Sequence, residues 1–267
     1  ASHERGGQMN TKPTGYVIYR GPSLLDGMPI VAIAITGSGN VKTGNMVQTY
    51  ILPDNGVKPT LNLKSGADVS VCGDCKHRPL NGGACYVVVA QGPTVVFKTY
   101  VAGKYPVAVL DDGAFFPSND YGEQAIGENR MVRLGTYGDP AAVPARIWYA
   151  LIKYAKGHTG YTHQWRNTAL SGAQREAMRA LCMASADTPE ERDLARSMGY
   201  RTFTVRLASD ALADRESVCP ASTEAGKKVT CAQCGMCNGA APGRRGSIAI
   251  IAHGAVNKVN NYATMRA

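Results

Sequence analysis

The sequence predicts an α/β fold, in which parallel strands and crossover helices form a partial or distorted β/α barrel. A β-rich N-terminal part and cysteine-rich metal-binding loops complete the expected architecture. Three observations predict it. Short apolar runs bounded by Gly and Pro fill residues 16–60; strand and helix patterns alternate over residues 130–207; and seven of the eight cysteines form two dense groups.

At 267 residues the chain is long enough for one large domain. We expect a flexible polar segment over residues 1–15 and a single α/β domain over residues 16–267. Within that domain we expect, in chain order, a β-rich start, a first cysteine loop, β/α repeats and a second cysteine loop, over residues 16–60, 72–85, 130–207 and 219–237.

Three strands are predicted in the N-terminal part, over residues 16–19, 30–35 and 47–52. The glycine-rich segment GSGNVKTGN, residues 37–45, separates the second strand from the third. It is not a Walker A sequence, because Val41 stands where a glycine must precede the lysine. A turn is the simpler interpretation. If the segment meets an anion, Lys42 and Thr43 are the candidate cofactor-binding residues.

Strand and helix patterns alternate from residue 130 onward. The predicted strands cover residues 131–139, 160–165, 182–187, 201–207 and 247–254. The predicted helices cover residues 143–154, 171–179, 188–198 and 255–266. Capping boxes open two of these helices, at Ser171 and Thr188, and Gly157 is the predicted C′ residue of the first. Such alternation predicts parallel strands joined by right-handed crossovers.

Polar residues follow the predicted strands at the sheet edge where α/β proteins place their active sites. The candidate catalytic residues at these ends are Asp139, His163, Asp187 and His253. Arg206, near the end of another strand, is a candidate cofactor-binding residue. Each of these residues also suits an ordinary strand-to-helix loop, and helix capping is the competing interpretation for Asp139 and Asp187.

The second cysteine group has the ligand types of a ferredoxin-type cluster. Cys231, Cys234 and Cys237 follow one another at two-residue gaps, and Cys219 precedes a proline upstream. Four thiolates would complete the coordination of a [4Fe–4S] centre that is structural or transfers electrons. Zinc is the alternative, although a zinc site of four cysteines usually has two separated CxxC pairs.

The first group contains only three cysteines, Cys72, Cys75 and Cys85. A cluster held by three thiolates leaves one iron open to a substrate, as in radical-SAM enzymes, although the cysteine spacing differs from the common radical-SAM run. His77 could instead complete a zinc site of three cysteines and one histidine. Cys182 opens a strand at the opposite end of the sheet from the loops, so we expect it to be a small buried hydrophobic residue.

The net charge of +9 and the pI of about 9.2 favour an anionic partner: a small-molecule or nucleotide substrate, or a nucleic acid. The basic residues proposed for phosphate contact include Lys42, Arg166, Arg206, Arg244 and Arg245. A basic surface that serves only solubility is the competing interpretation. The sequence has no apolar stretch of about eighteen residues and no secretory signal, which predicts a protein of the reducing cytosol without a membrane span.

A series of short motifs runs along the chain: NVKTG at 40–44, ACY at 84–86, VRLGTYGDP at 132–140, GYTH at 160–163, and a CP and CxxC run that closes on IIAHG at 250–254. In this order they resemble the gene product 88 family of phage proteins, over roughly residues 30–255. The resemblance implies a phage-encoded, barrel-like α/β protein with iron–sulfur cysteines, located in the cytoplasm of an infected host cell. It carries over all seven clustered cysteines as motif residues, and it implies no settled activity.

We therefore expect an iron–sulfur protein, most simply a redox or radical-type enzyme. Its three-cysteine cluster would react, and its four-cysteine cluster would be structural or would relay electrons. The alternatives are a zinc- or cluster-stapled nucleic-acid-binding protein without catalysis, and a two-cluster electron carrier. The α/β body favours the enzyme, because a carrier needs no barrel, whereas the basic charge favours nucleic-acid binding.

Overall fold

The chain folds around one large sheet, in a computed structural model that describes residues 12–37, 41, 43–118, 122–240 and 246–266. The strands are β1 (Gly15–Pro22), β2 (Pro29–Ile35), β3 (Val47–Pro53), β4 (Val109–Asp111), β5 (Ala114–Phe116), β6 (Met131–Tyr137), β7 (Gly157–Thr162), β8 (Met183–Ala186), β9 (Thr202–Arg206), β10 (Glu216–Val218) and β11 (Ser247–Ile251). The helices are α1 (Pro59–Ser65), α2 (Val69–Cys72), α3 (Gly92–Val101), α4 (Ala145–Ile152), α5 (Gly172–Leu181), α6 (Pro189–Ser197), α7 (Cys231–Cys234) and α8 (Val256–Arg266). These elements confirm the α/β class. No helix in the described part of the chain is long and apolar enough to cross a membrane.

Nine strands form the sheet, in the order β1-β2-β3-β6-β7-β8-β9-β11-β10, and β4 pairs with β5 in a separate hairpin. β1, β2 and β3 are antiparallel neighbours, whereas every pairing from β3 to β10 is parallel. A β-rich start is therefore followed by parallel strands, as the sequence predicts. β1 and β10 are the outer strands, so the described pairings are those of an open sheet, and the partial barrel stays a prediction.

Several boundaries differ from those predicted. The strand predicted over 160–165 begins earlier, at Gly157, because Gly157 pairs with Met131 of β6. The preceding helix already ends at Ile152, so Gly157 opens β7 and does not terminate α4. Gly15, which the sequence places in the flexible segment, is the first residue of β1, and residues 1–11 lie outside the described part of the chain.

The main core lies where β1, β2, β3 and β6 meet α3 and α4. β2 is buried over nearly its whole length, as expected for an apolar run with both faces covered. Trp148 of α4 is fully buried and donates its indole N–H to the carbonyl of Pro140 at 2.9 Å, so its one polar atom has a partner. α5 packs on β7, and α6 packs on β8 and β9, which places these two helices as crossovers between parallel strands.

The parallel strands bring their carboxyl ends to one edge of the sheet. Tyr137 ends β6, His163 follows β7, and Asp187 follows β8. The segment that contains the first cysteines reaches the same edge, because the backbone N–H of Asp139 donates to the carbonyl of Val71 at 2.6 Å. The fold thus gathers the first cysteine loop and three strand ends at the edge where α/β proteins bind ligands.

Candidate functional site

The first cysteine loop is fixed to the sheet edge by a glutamine. The side-chain amide of Gln164 donates to the carbonyl of Cys72 at 3.2 Å and to the carboxylate of Asp74 at 2.8 Å. Gly73 has a φ of +60°, and a Cβ there would lie 2.5 Å from the amide nitrogen of Gln164. Glycine is needed at this position both for the backbone conformation and for the close approach of Gln164.

The three thiols of the first loop lie close enough to act on one another. Burial, followed by the neighbouring Cys75 thiolate, raises the pKa of Cys72 well above its usual value, and Cys85 adds to this effect. Burial also raises the pKa of Cys75 to about 12, although the backbone N–H of His77 donates to its sulfur and lowers it. The backbone N–H of Val87 donates to Cys85 in the same way. N–H donors to sulfur are typical of metal-bound thiolates, so this group suits a metal centre.

Two polar atoms next to these thiols have no hydrogen-bond partner among the described residues: the hydroxyl of Tyr137 and Nδ1 of His77. Tyr137 is 4% exposed, and its pKa is raised well above the usual value by burial and then by Cys72. The hydroxyl therefore lies beside the thiols. Leaving such an atom unpaired in a protein interior costs about 1–3 kcal/mol, so both atoms suit a polar group bound at the three-cysteine site.

The cysteines of the second group also affect one another electrostatically. Burial raises the pKa of Cys237 to about 12; a hydrogen bond with the hydroxyl of Tyr161 lowers it, while Cys219, Cys234 and Cys231 raise it further. α7 carries two of these cysteines and begins with a capping box. The loop is tied to the sheet because the backbone N–H of residue 160 donates to the carbonyl of Cys237 at 2.9 Å.

An arginine lies against the second group. Arg133 of β6 places its guanidinium 5.8 Å from the ring centre of Tyr161 and donates to the hydroxyl of Tyr86 at 2.9 Å. Burial lowers the pKa of Arg133, but Tyr86, Tyr161 and the thiolates of Cys231 and Cys237 raise it by more. A fixed positive charge near Cys231 and Cys237 suits an anionic metal centre. Sequence reasoning missed Arg133, because a single arginine inside an apolar strand carries no signal of its partners.

The spacing of the thiols bears on the choice of metal. A zinc ion with bonds of about 2.3 Å to four sulfurs holds them about 3.8 Å apart. Among the described residues, no three cysteines bring their sulfur atoms within 4.8 Å of one another. A cubane separates its thiolates more widely, because each sulfur binds a different iron. Among the described residues, the sulfur atoms of neither group therefore lie as close together as a bound zinc ion holds them.

A different group of side chains brings its ligand atoms within 4.8 Å of one another: His77, His163 and Asp187. Nε2 of His77 lies 2.8 Å from Oδ2 of Asp187. The rings of His77 and His163 meet edge to face, with their ring centres 5.5 Å apart. Burial lowers the pKa of His163 to about 4. Burial raises the pKa of Asp187, but the hydrogen bond and charge of His77 lower it by more, to about 2. Two of the four predicted catalytic residues, His163 and Asp187, are thus brought together.

Ion pairs surround this group. Nζ of Lys76 lies 3.3 Å from Oδ2 of Asp187 and 3.2 Å from Oε1 of Glu191. The backbone N–H of Asp187 donates to Glu191 at 2.9 Å, and Arg166 pairs with Glu191 at 3.1 Å. Sequence reasoning missed Lys76 and Glu191. Glu191 carried a signal, as the N3 residue of the capping box of α6, but that signal predicted a helix cap and not an ion pair with Lys76.

Asp139 makes the contacts of a capping residue. Its carboxylate accepts hydrogen bonds from the backbone of Ala141 at 3.0 Å, the hydroxyl of Thr162 at 2.8 Å and the backbone of His163 at 2.7 Å. Burial raises the pKa of Asp139 to about 6 against these hydrogen bonds. The carboxylate is occupied in fixing the loop that carries His163, which agrees with the capping interpretation and makes Asp139 a positioning residue.

The remaining predicted residues lie elsewhere. His253 is exposed at the end of β11, where Nδ1 faces the carbonyl of Ile251 at 2.8 Å. Arg206 forms an ion pair with Glu224 and donates to the carbonyl of Asp210 at 2.7 Å, so internal partners engage its guanidinium. Thr43 is buried and accepts a hydrogen bond from Gln48 at 2.6 Å, while its carbonyl accepts one from the backbone of residue 232, next to the second cysteines. The predictions for Lys42, Arg244 and Arg245 concern residues outside the described part of the chain.

An open cleft of about 560 Å³ adjoins the first cysteine loop. Its polar lining includes Gly73, Asp74, Arg78, Gln164, Arg166 and Asn167. Its volume falls in the range of about 300–1,000 Å³ that is usual for ligand sites. A small molecule in this cleft would lie next to the loop that carries the three thiols.

In comparisons with known proteins, no protein-family model, no curated protein and no solved structure matches this chain. Membership of the gene product 88 family therefore stays a prediction. The functional assignment rests on the two thiol groups, the polar atoms beside them and the cleft.

Proposed function

We propose that this chain is an iron–sulfur enzyme of redox or radical type, with its reactive [4Fe–4S] cluster on Cys72, Cys75 and Cys85. One observation carries the proposal: three interacting thiols with N–H donors to sulfur lie beside two buried polar atoms that have no partner among the described residues. Three thiolates leave one iron without a cysteine. The hydroxyl of Tyr137 and Nδ1 of His77 can hydrogen-bond a small molecule at that iron.

The position of this centre supports catalysis. It lies at the carboxyl edge of the parallel strands, next to a polar cleft, which is where α/β enzymes hold substrates. When bound, the cluster would supply the electron transfer, and the protein would supply binding and orientation. Gln164 fixes the loop backbone at Cys72, and Asp139 fixes the loop that carries His163. A two-cluster electron carrier would need neither the cleft nor these fixed polar loops.

The second centre has the features of a closed site. Four thiolates would satisfy all four irons of a cubane, so no position is left for a substrate. Arg133 compensates the negative charge, and Tyr161 donates to Cys237. We assign this centre to stabilising the second cysteine loop and to relaying electrons.

The proposal extends to the fold, the source and the partner of the protein. It includes a partial barrel, a phage-encoded protein of the gene product 88 family, and the cytoplasm of an infected host cell, where reduced cysteines can hold clusters. The net charge of +9 supports an anionic small-molecule or nucleotide substrate. Nucleic-acid binding is less well supported, because the ion pairs of Arg166 and Arg206 with Glu191 and Glu224 engage two of the proposed phosphate contacts.

Anaerobic purification tests the proposal. The protein should be brown, with acid-labile sulfide and about eight irons per chain if both centres are cubanes. After reduction, its EPR spectrum should change when cyanide or S-adenosylmethionine is added, because the three-cysteine cluster has an exchangeable position. Stoichiometric zinc without sulfide would refute the clusters. An EPR spectrum that no added ligand changes would refute the open position while leaving the clusters in place.

A further inference from the structure

A second ligand set, made of nitrogen and oxygen atoms, lies beside the thiols. We propose that His77, His163 and Asp187 bind a divalent first-row metal ion, Fe²⁺ or Mn²⁺, through two imidazole nitrogens and one carboxylate oxygen. The three residues come from three parts of the chain: the first cysteine loop, the end of β7 and the end of β8. This site is distinct from the proposed clusters, since it uses none of the seven cysteines.

The distances suit one ion. Each residue offers a ligand atom within 4.8 Å of the other two. Nε2 of His77 and Oδ2 of Asp187 are 2.8 Å apart, and two ligands at right angles, each about 2.1 Å from an ion, are about 3.0 Å apart. The rings of His77 and His163 are inclined by 69°, so they meet at an edge without stacking.

The chemistry of the donors agrees with the geometry. A metal needs a neutral imidazole and an ionised carboxylate. Nε2 of His77 already lies against a carboxylate oxygen of Asp187, so a nitrogen and an oxygen donor meet at one place. Two histidines and one carboxylate on one side of an ion leave its other positions open, which suits an oxygen-donor ligand such as a carboxylate or phosphate.

Lys76 is the competitor for this site. Its ammonium lies 3.3 Å from the Asp187 oxygen that faces His77. The side chain is 32% exposed and also pairs with Glu191, so Lys76 keeps one carboxylate partner when a cation takes Asp187. Lysine and metal therefore exclude each other at Asp187. If the ion pair is only structural, replacing Lys76 should not change metal binding. If the site binds a metal, replacing a ligand should weaken the binding, whereas replacing Lys76 should strengthen it.

The test uses the full-length, cluster-containing protein and Mn²⁺ as the probe. Mn²⁺ prefers nitrogen and oxygen ligands to thiolates, and the EPR spectrum of its free form is visible at room temperature, where cluster signals are not. We expect one bound Mn²⁺ per chain. His163→Gln and Asp187→Asn should each weaken binding by more than about tenfold. Lys76→Met should strengthen it, because the competing ammonium is gone.

His158→Gln is the matched control. His158 lies in β7, where its Nε2 faces the carbonyl of Leu181 at 3.0 Å, outside the proposed ligand set. This variant should bind Mn²⁺ like the parent. Circular dichroism shows whether each variant is folded, and the Lys76→Met result does not depend on removing a ligand. Iron and sulfide are measured in the same samples.

Each possible result of the Mn²⁺ experiment either supports or overturns the proposal. No Mn²⁺ binding by either the parent or the Lys76→Met protein would overturn the proposal, as would parental binding in folded His163→Gln and Asp187→Asn proteins. Binding of one Mn²⁺ to a protein that lacks iron and sulfide would refute the iron–sulfur function and leave this site standing. Full clusters without a Mn²⁺ site would do the reverse.

Discussion

Replacing Cys75 with alanine should remove one cluster and leave the other. The variant loses a thiolate from the three-cysteine group, whose members act electrostatically on one another. Cys237 instead interacts with Cys219, Cys231 and Cys234. Tyr137 of β6 is affected by Cys72 and Cys85, whereas Arg133 of the same strand is affected by Cys231 and Cys237. The two centres are therefore separate, and the iron content of Cys75→Ala should fall from about eight to about four per chain.

The effect on stability can also be estimated. Cys75 accepts the backbone N–H of His77 at its sulfur, and alanine leaves that donor without its partner. An unpaired buried donor costs about 1–3 kcal/mol, so the variant should remain folded but melt at a lower temperature. Cys182→Ala is the matched control. Cys182 is fully buried, and its fold-stabilising contacts are apolar packing, so its variant loses stability without losing iron.

Iron and acid-labile sulfide assays on anaerobically purified parent, Cys75→Ala and Cys182→Ala proteins decide the matter. A parental iron content in Cys75→Ala would refute the three-cysteine centre. Loss of all iron from a folded Cys75→Ala protein would show that the seven cysteines hold one shared centre. Loss of iron in Cys182→Ala would make the cysteine assignment itself wrong.

Cys234→Ala should lower iron content and melting temperature together, because the thiolates hold a loop with few apolar residues of its own; parental values of both would contradict this. Tyr137→Phe removes a buried hydroxyl that has no partner among the described residues, so the melting temperature should stay unchanged or rise. The same variant should alter the EPR response to cyanide, and an unaltered response would place the hydroxyl away from the open iron. Burial lowers the pKa of His158 below 6.5, so the unfolded chain takes up a proton before the folded chain does as the pH falls. The free energy of unfolding should therefore decrease as the pH falls below about 6.5, and it should decrease less steeply in His158→Gln. Urea unfolding at several pH values measures this dependence. An equal pH dependence in the parent and the variant would refute this account.

The sequence predicted the parallel strands from β6 onward well, and it predicted the region between β3 and β6 poorly. From β6 onward, the hydrophobic periodicity of the sequence predicted most of the strands and helices that the structure has. Ser171 and Thr188 both cap helices as predicted. α3 was missed because its sequence, GPTVVFKTYV, is rich in β-branched residues and favours a strand locally. Burial of Val96 and Phe97 against the core overrides that preference. α1 had a readable signal, with proline in its first turn and a left-handed Gly66 at its end.

The candidate site was predictable only residue by residue. His163 and Asp187 were identified because both follow strands that end at the same edge of a parallel sheet. Their contact with His77 spans 110 residues to Asp187, and no periodicity or local motif reports such a contact. Lys76 and Glu191 were missed for the same reason. Arg206 was predicted to bind a ligand, but only the structure could show that Glu224 already pairs with it.

One short segment, residues 75–77, contributes to both the three-cysteine cluster and the proposed Mn²⁺ site. This determines which variants can separate the effects of the two sites. The backbone N–H of His77 donates to the Cys75 sulfur, while its Nε2 faces Asp187. A substitution of His77 therefore perturbs both centres and cannot assign an effect to either. His163 contacts the His77 ring without contributing a thiolate, and Cys75 contributes a thiolate without belonging to the nitrogen and oxygen set. Loss of Mn²⁺ binding in His163→Gln with full iron, and loss of iron in Cys75→Ala with retained Mn²⁺ binding, would together establish two independent sites on one loop.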